Sequence, residues 1–187
     1  MKTRRGGTWF QRWRVPLGFV VAPLFILLAR PQPWTLAIGA VIGLAGLLLR
    51  AWASGHLRKN DALATTGPYA HTRNPLYLGS FLIGLGFTVA AARWLLVPIF
   101  ALLFLGIYVP VMRVEATTLE GLFGYKYRRY AQSVPLFVPT PKRFREATGR
   151  ATEFNLALYK RYREYRAALG FAIAWVLLIA KAIYFRY

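Results

Sequence analysis

The chain has no cysteine, only two histidines and only six carboxylates among 187 residues. The first absence removes disulfides, thiolate metal sites and a cysteine nucleophile. The scarcity of the other two leaves little from which to assemble a metal centre, and none is expected. No fingerprint of a soluble dinucleotide fold is present: Gly84 and Gly86 are followed by Val89 where a third glycine belongs, so the pair reads as packing. Lys2, Arg4 and Arg5 precede a first apolar stretch that no small-residue cleavage pattern follows, which reads as an anchor and not a removed signal. There is no internal repeat, no low-complexity tract and no boundary that splits off a second domain, so residues 1–187 form one unit.

Apolar surface and positive charge are abundant instead. Hydrophobic residues make up 57% of the chain and aromatics 16%, with a mean hydropathy of +0.38, a composition expected of a membrane protein and not of a soluble or disordered one. Lys plus Arg number 25 against 6 Asp plus Glu. Because these cations sit between apolar stretches and not on one basic face, the expected partner is the bilayer, and nucleic acid is not expected.

Arginines at positions 14, 30, 50, 73, 93 and 113 bracket uncharged stretches over 15–29, 31–49, 74–92 and 94–112, and a fifth runs over 167–184 with Lys181 near its end. A spanning helix needs about 20 apolar residues, somewhat fewer when arginine stems snorkel. The pattern predicts an all-α, multi-pass transmembrane bundle of about five spanning helices, the first short enough to be tilted or partly interfacial. Gly39, Gly43 and Gly46 offer a small-residue packing face on the second. The third and fourth must form a tight hairpin through residues 90–94, and Pro98 and Pro110 are expected to bend the fourth.

Charge asymmetry sets the orientation. The N-terminal segment, the 50–73 loop and the 113–166 segment hold most of the cations, whereas the opposite side has Arg30, Arg93, Lys181 and Arg186. The positive-inside rule places the N-terminus and both polar segments in the cytoplasm and the C-terminus outside.

After Met112, Glu115, Leu119, Phe123, Tyr127 and Tyr130 recur at spacings of three and four, predicting an amphipathic helix with a carboxylate on its aromatic stripe. Gly124 inside that helix costs about 1 kcal/mol against alanine and suggests close approach by backbone or ligand. Pro135, Pro139 and Pro141 make a stiff strap. Phe154, Leu158, Tyr162, Tyr165 and Leu169 trace one face of an interfacial amphipathic helix expected to feed straight into the fifth span. It reads first as a lipid-surface anchor and second as a headgroup or partner site.

Residues 63–79, L-A-T-T-G-P-Y-A-H-T-R-N-P-L-Y-L-G, contain the turn signals Gly67-Pro68 and Asn74-Pro75, two tyrosines, a histidine and an arginine, far more than a connector between spans requires. The run G-P-Y-x-x-x-R-N-P-x-Y-x-G resembles the signature of the isoprenylcysteine carboxyl methyltransferase and phospholipid methyltransferase family of integral membrane enzymes, with Asn74 where that family usually has histidine. Glu115, Leu119, Phe123, Gly124, Tyr127, Tyr130, Val134 and Pro135 resemble its second block. The resemblance covers about residues 40–140 and implies a methyltransferase core over about 33–140, followed by a C-terminal extension over 141–187. It further implies S-adenosylmethionine as cofactor, bound in a cytoplasmic-side pocket, a lipidic or isoprenoid-bearing acceptor, and a place in a bacterial inner membrane.

Through that resemblance the site residues acquire expected roles. Arg73 offers a fork to a carboxylate, or else marks the membrane edge. Asn74 binds the methionine part, caps the third span, or both. Tyr69 and Tyr77 are candidate walls beside the sulfonium, with an interfacial aromatic belt as the alternative. Gly67 and Gly79 allow close backbone approach, and Pro68 and Leu78 adjoin them in the same cofactor-binding run. Glu115 takes the ammonium group or pairs with Arg113 or Arg73; the family often doubles this acid, but Ala116 follows here. Leu119, Phe123 and Tyr127 complete the expected cofactor surface. His71 is the only base the motif offers, and it reads first as a solvated loop histidine. The expected catalytic set is Arg73, Glu115 and His71. Two alternatives stay open: an NADPH-dependent enzyme like the membrane sterol reductases, and a lipid-binding relative without catalysis.

Overall fold

A computed structural model describes residues 21–57, 62–142, 144 and 154–185. The N-terminal cations, the start of the first expected span, Arg58, Lys59 and much of the stretch after the proline strap lie outside the described residues. All regular structure among the described residues is helical: α1 (residues 21–28), α2 (Pro33–Ser54), a 3-10 turn (Gly67–Ala70), α3 (Pro75–Ala90), α4 (Leu96–Phe123), α5 (Tyr125–Ser133), α6 (Leu156–Arg161) and α7 (Tyr165–Phe185). Pro33 and Pro75 each open a helix. Proline suits that position because its φ is already helical and its missing N–H would have had no acceptor.

Among the described residues, three helices, α2, α4 and α7, are long and apolar enough to cross a membrane. The apolar α3 has 16 residues, about 24 Å of helix, and with α1 it stands where the third and first spans are expected. Burial on α2 is inverted relative to a water-soluble helix. Its buried residues are small (Thr35, Gly39, Gly43, Gly46, Ala53 and Ser54), while Trp34, Ile38, Val41, Leu44, Leu48 and Trp52 are exposed. Large apolar groups facing outward and small ones inward suit a lipid surround, where close backbone packing drives association.

That small-residue face meets α3 and α7. A Cβ on Gly39 would lie 2.4 Å from the Gly86 carbonyl oxygen, and one on Gly46 would lie 2.6 Å from that of Gly79. A Cβ on Gly43 would lie 2.4 Å from the Phe171 ring. The packing reading of the α2 glycines and of Gly84 and Gly86 holds, Gly84 abutting Phe100.

One end of the bundle is closed by backbone and charge. Arg30 N–H donates to the Ala91 carbonyl (2.8 Å), and residue 31 is a proline, so the carbonyls of Ile26 and Leu27 lack their usual helical donors. Lys181 Nζ donates to both, at 2.8 and 2.6 Å. Ala29, Ala90, Ala91, Leu96 and Leu178 form the apolar core at this end.

Four local expectations are revised. The segment after Met112 is no separate helix, because α4 continues unbroken for 28 residues, about 42 Å, past the roughly 30 Å hydrocarbon layer. Gly124 lies between α4 and α5 and not inside a helix; a Cβ there would meet nothing within 4 Å, and it is the φ of +52° that favours glycine. Pro98 falls in the first turn of α4, where no intrahelical acceptor is lost, leaving Pro110 as the proline inside that helix. The helix before the last span does not run straight into it: α6 has six residues, and the chain turns at Arg163 (φ +55°) before α7 begins.

Candidate functional site

The proline strap lies along residues 70–74 and binds the two polar blocks together. Arg73 N–H donates to the Pro135 carbonyl (3.0 Å), Thr72 Oγ1 to that of Phe137 (2.9 Å), and Asn74 Nδ2 to that of Leu136 (2.9 Å). Thr140 N–H donates to the His71 carbonyl (2.9 Å), and His71 Nδ1 donates to the Thr140 carbonyl (2.9 Å). From α5, the Tyr130 hydroxyl donates to the Tyr69 carbonyl at 2.6 Å. The prolines explain why a strap and not a helix does this: they withhold N–H groups while leaving carbonyls free to accept.

Between these blocks and the ends of α2, α3 and α4 lies a cavity of about 600 Å³, a volume typical of small-molecule sites. Of the expected residues, Tyr69, Arg73, Asn74, Tyr77, Glu115, Leu119 and Tyr127 line it. Arg73 Nη1 donates to the Tyr127 hydroxyl at 3.1 Å, and its guanidinium carbon stands 5.9 Å from that ring's centroid. Its Nε is buried and has no hydrogen-bond partner among the described residues. A charged donor removed from water and left without an acceptor is costly, which marks the place where an anion gains most.

The Glu115 carboxylate accepts from the Tyr77 hydroxyl at 2.8 Å and makes no ion pair among the described residues; the ion pairs there are Arg50 with Glu164 and Arg128 with Glu120. Asn74 occupies the N-cap position of α3, but its side chain makes no capping bond and its amide serves the strap. Burial, with Tyr130 beside it, raises the Tyr69 phenol well above its ordinary pKa. Burial raises Tyr130 too, against the opposing charge of Arg73. Both are neutral phenols at physiological pH.

The remaining expected residues stand outside the lining. A Cβ on Gly67 would meet the His56 ring at 2.7 Å, and Pro68 is buried in the 3-10 turn. His71 is tied to the strap. Gly79 faces α2, where a Cβ would lie 2.5 Å from Arg50 Cγ. Leu78 is not among the lining residues, and Phe123 packs on the cluster of Tyr127, Tyr130 and Val134.

Sequence reasoning missed Arg50, Ser80, Tyr108 and Glu164, all of which line the cavity. Arg50 resembled a membrane-edge arginine, yet it sits within α2 and is fully engaged. Its Nε and Nη2 donate to the Glu164 carboxylate (3.0 and 2.9 Å), and its Nη1 donates to Ser80 Oγ (2.6 Å) and the Leu76 carbonyl (3.3 Å). One signal pointed to Glu164: it is one of six carboxylates in the chain and is set among Lys160, Arg161, Arg163 and Arg166.

The family described as phospholipid methyltransferase matches residues 38–126. A cobalt-zinc-cadmium resistance protein of Cupriavidus metallidurans is 32% identical over 134 residues, 68% of this chain and 62% of that protein. A nickel-cobalt-cadmium resistance protein of Alcaligenes xylosoxydans xylosoxydans is 32% identical over 142 residues, 71% of this chain and 65% of that protein. The chain thus spans less than two thirds of the length of either. The protein-S-isoprenylcysteine O-methyltransferase of Schizosaccharomyces pombe is 30% identical over 81 residues, 43% of this chain and 34% of that enzyme. No solved structure matches.

Proposed function

We propose, from the phospholipid methyltransferase match over residues 38–126 and the similarity to an isoprenylcysteine methyltransferase, that the chain is a membrane enzyme of that family and transfers a methyl group from S-adenosylmethionine to a lipidic acceptor at the cytoplasmic face of a bacterial inner membrane. One observation carries the reading: Arg73, with a buried Nε that has no partner among the described residues, and Glu115, with a carboxylate held by Tyr77, line the same cavity. A cation and an anion in one enclosed site suit the carboxylate and the ammonium of an amino acid.

Arg73 and Asn74 would hold the methionine carboxylate, Glu115 the ammonium, and Tyr69 and Tyr77 the surroundings of the sulfonium. Bound there, the cofactor supplies an electrophilic methyl group. The residues of this chain bind, orient and exclude water; holding two reactants in register is worth about 7–11 kcal/mol in the most favourable cases. No proton need move if the acceptor is already an anion, and His71, bonded to the strap and away from the cavity lining, is not assigned as a base. The family match over residues 38–126 favours methyl transfer over the hydride-transfer alternative.

The test is thermal unfolding of the detergent-solubilised chain with S-adenosylhomocysteine or NADPH. A ligand at 100 times its Kd stabilises by about 2.7 kcal/mol. A rise in Tm with S-adenosylhomocysteine is expected. No rise, or a rise with NADPH alone, refutes the reading. Incubation with labelled S-adenosylmethionine and a total membrane lipid extract then identifies the acceptor, and absence of labelled lipid would leave a binding protein without catalysis.

A further inference from the structure

We propose that Arg50 is an oxyanion site for the acceptor, occupied by the chain's own Glu164 until a lipid-borne carboxylate or phosphate takes its place; the word acceptor rests on the methyl-transfer reading above. The guanidinium is oriented independently of Glu164. Ser80 Oγ and the Leu76 carbonyl, both on α3, fix Nη1 at 2.6 and 3.3 Å, and the Arg50 stem runs beside Gly79, where any side chain would collide with it. With Nη1 fixed in this way, Nε and Nη2 present a planar two-donor fork, the geometry that receives one carboxylate or phosphate edge. Glu164 fills that fork with both oxygens.

The two partners are held with unequal firmness. Arg50 stands on α2, which is packed backbone to backbone on α3 through Gly39, Gly46, Gly79 and Gly86. Glu164 stands between α6, which buries none of its residues, and α7, directly after Arg163, a non-glycine residue at φ +55°. Its own N–H makes only a long 3.4 Å bond to the Tyr159 carbonyl. Left-handed backbone is disfavoured for a residue with a Cβ, so the Glu164 segment gives way more readily than the α2–α3 pair. The Arg50 and Glu164 side chains retain 21% and 11% exposure, so the pair is not sealed from exchange. An incoming oxyanion leaves the charge balance at Arg50 unchanged, and the released carboxylate lies among Lys160, Arg161, Arg163 and Arg166. An apolar tail fits the setting, since the exposed faces of the neighbouring helices are lined with large apolar groups such as Leu48 and Leu122.

The experiment measures binding of four probes to the full chain in detergent: oleate, oleyl phosphate, oleyl alcohol and inorganic phosphate, with S-adenosylhomocysteine as a separate ligand. The wild-type chain is expected to bind oleate or oleyl phosphate, and neither the alcohol nor free phosphate. Glu164→Gln, which withdraws the competing charge, should tighten oleate or oleyl phosphate binding about tenfold, the scale of one charge-assisted hydrogen bond; Arg50→Gln should abolish it. Alcohol binding as strong as oleate binding, or an unchanged affinity in Glu164→Gln, overturns the proposal. So does a response to inorganic phosphate alone, which would make the site one for soluble anions. The wild-type comparison stands even if a variant fails to fold. Failure of S-adenosylhomocysteine to bind, with the oxyanion results intact, would refute methyl transfer and leave Arg50 as a lipid-anion site.

Discussion

Arg73 is where a single substitution should matter most. Arg73→Ala removes a donor set whose Nε has no partner among the described residues, so folding loses chiefly the bond and ring contact to Tyr127, while S-adenosylhomocysteine affinity should fall at least about 100-fold, measured by calorimetry. An unchanged affinity would return the arginine to a membrane-edge role. Glu115→Gln keeps an acceptor for the Tyr77 hydroxyl but loses the charge, and it should weaken the same ligand about tenfold while sparing lipid binding. A defect confined to the lipid would refute the assignment. Tyr69 and Tyr130 add a pH dependence. Because burial raises both phenols in the folded state, the unfolded chain gives up these protons first, near its ordinary value of about 10. Their contribution is therefore intact below that pH, and Tm should drop as pH climbs above it; the double Phe variant should show a shallower alkaline decline. Arg73 and Glu115 were legible in the sequence because each lies in a dense local motif. Arg50 and Glu164 were not: their contact joins positions 114 apart with no shared pattern, and an arginine at the end of an apolar stretch looks the same whether it marks an interface or builds a site.

Among the elements, the glycines separate two kinds of constraint. A side chain at Gly86 would strike the Gly39 carbonyl, since even its Cβ would approach to 2.6 Å. Gly86→Val should force α2 and α3 apart at a cost of about 1–3 kcal/mol, seen as a lowered Tm with reduced cofactor binding. Gly124→Ala meets no neighbour, yet its dihedral penalty of about 1–3 kcal/mol should loosen α5 and the Tyr127 and Tyr130 ring cluster. The Gly39, Gly43 and Gly46 face was readable from spacing alone, because small residues at i, i+4 and i+7 share one side of a helix. The break at Gly124 was not, since Tyr127 and Tyr130 on α5 stay with Glu115 and Leu119 on the cavity and the periodicity passes through the interruption unmarked.

At the scale of the whole chain, the absence of cysteine makes orientation directly measurable. Trp94, 82% exposed in the α3–α4 turn, and Val138, 71% exposed on the strap, lie toward opposite ends of the bundle. If the polar blocks face the cytoplasm, a membrane-impermeant maleimide applied to intact cells should label Trp94→Cys and spare Val138→Cys. The reverse pattern would invert the molecule in the membrane. The bracketing arginines made the places where the chain turns predictable, because bilayer thickness leaves few choices for where a chain may turn; the charge asymmetry bears on the orientation that this labelling tests. The sharp turn before α7 was not predictable, since the same residues suit a continuous interfacial helix equally well.

The bond from Lys181 to the Ile26 and Leu27 carbonyls bears on how the protein is made. These two acceptors are synthesised more than 150 positions ahead of the ammonium that satisfies them. Until Lys181 is synthesised, the Ile26 and Leu27 carbonyls lack that donor. Only when α7 arrives can this contact form, so ribosome-stalled fragments ending before Lys181 should be cleared from the membrane faster than fragments that include it.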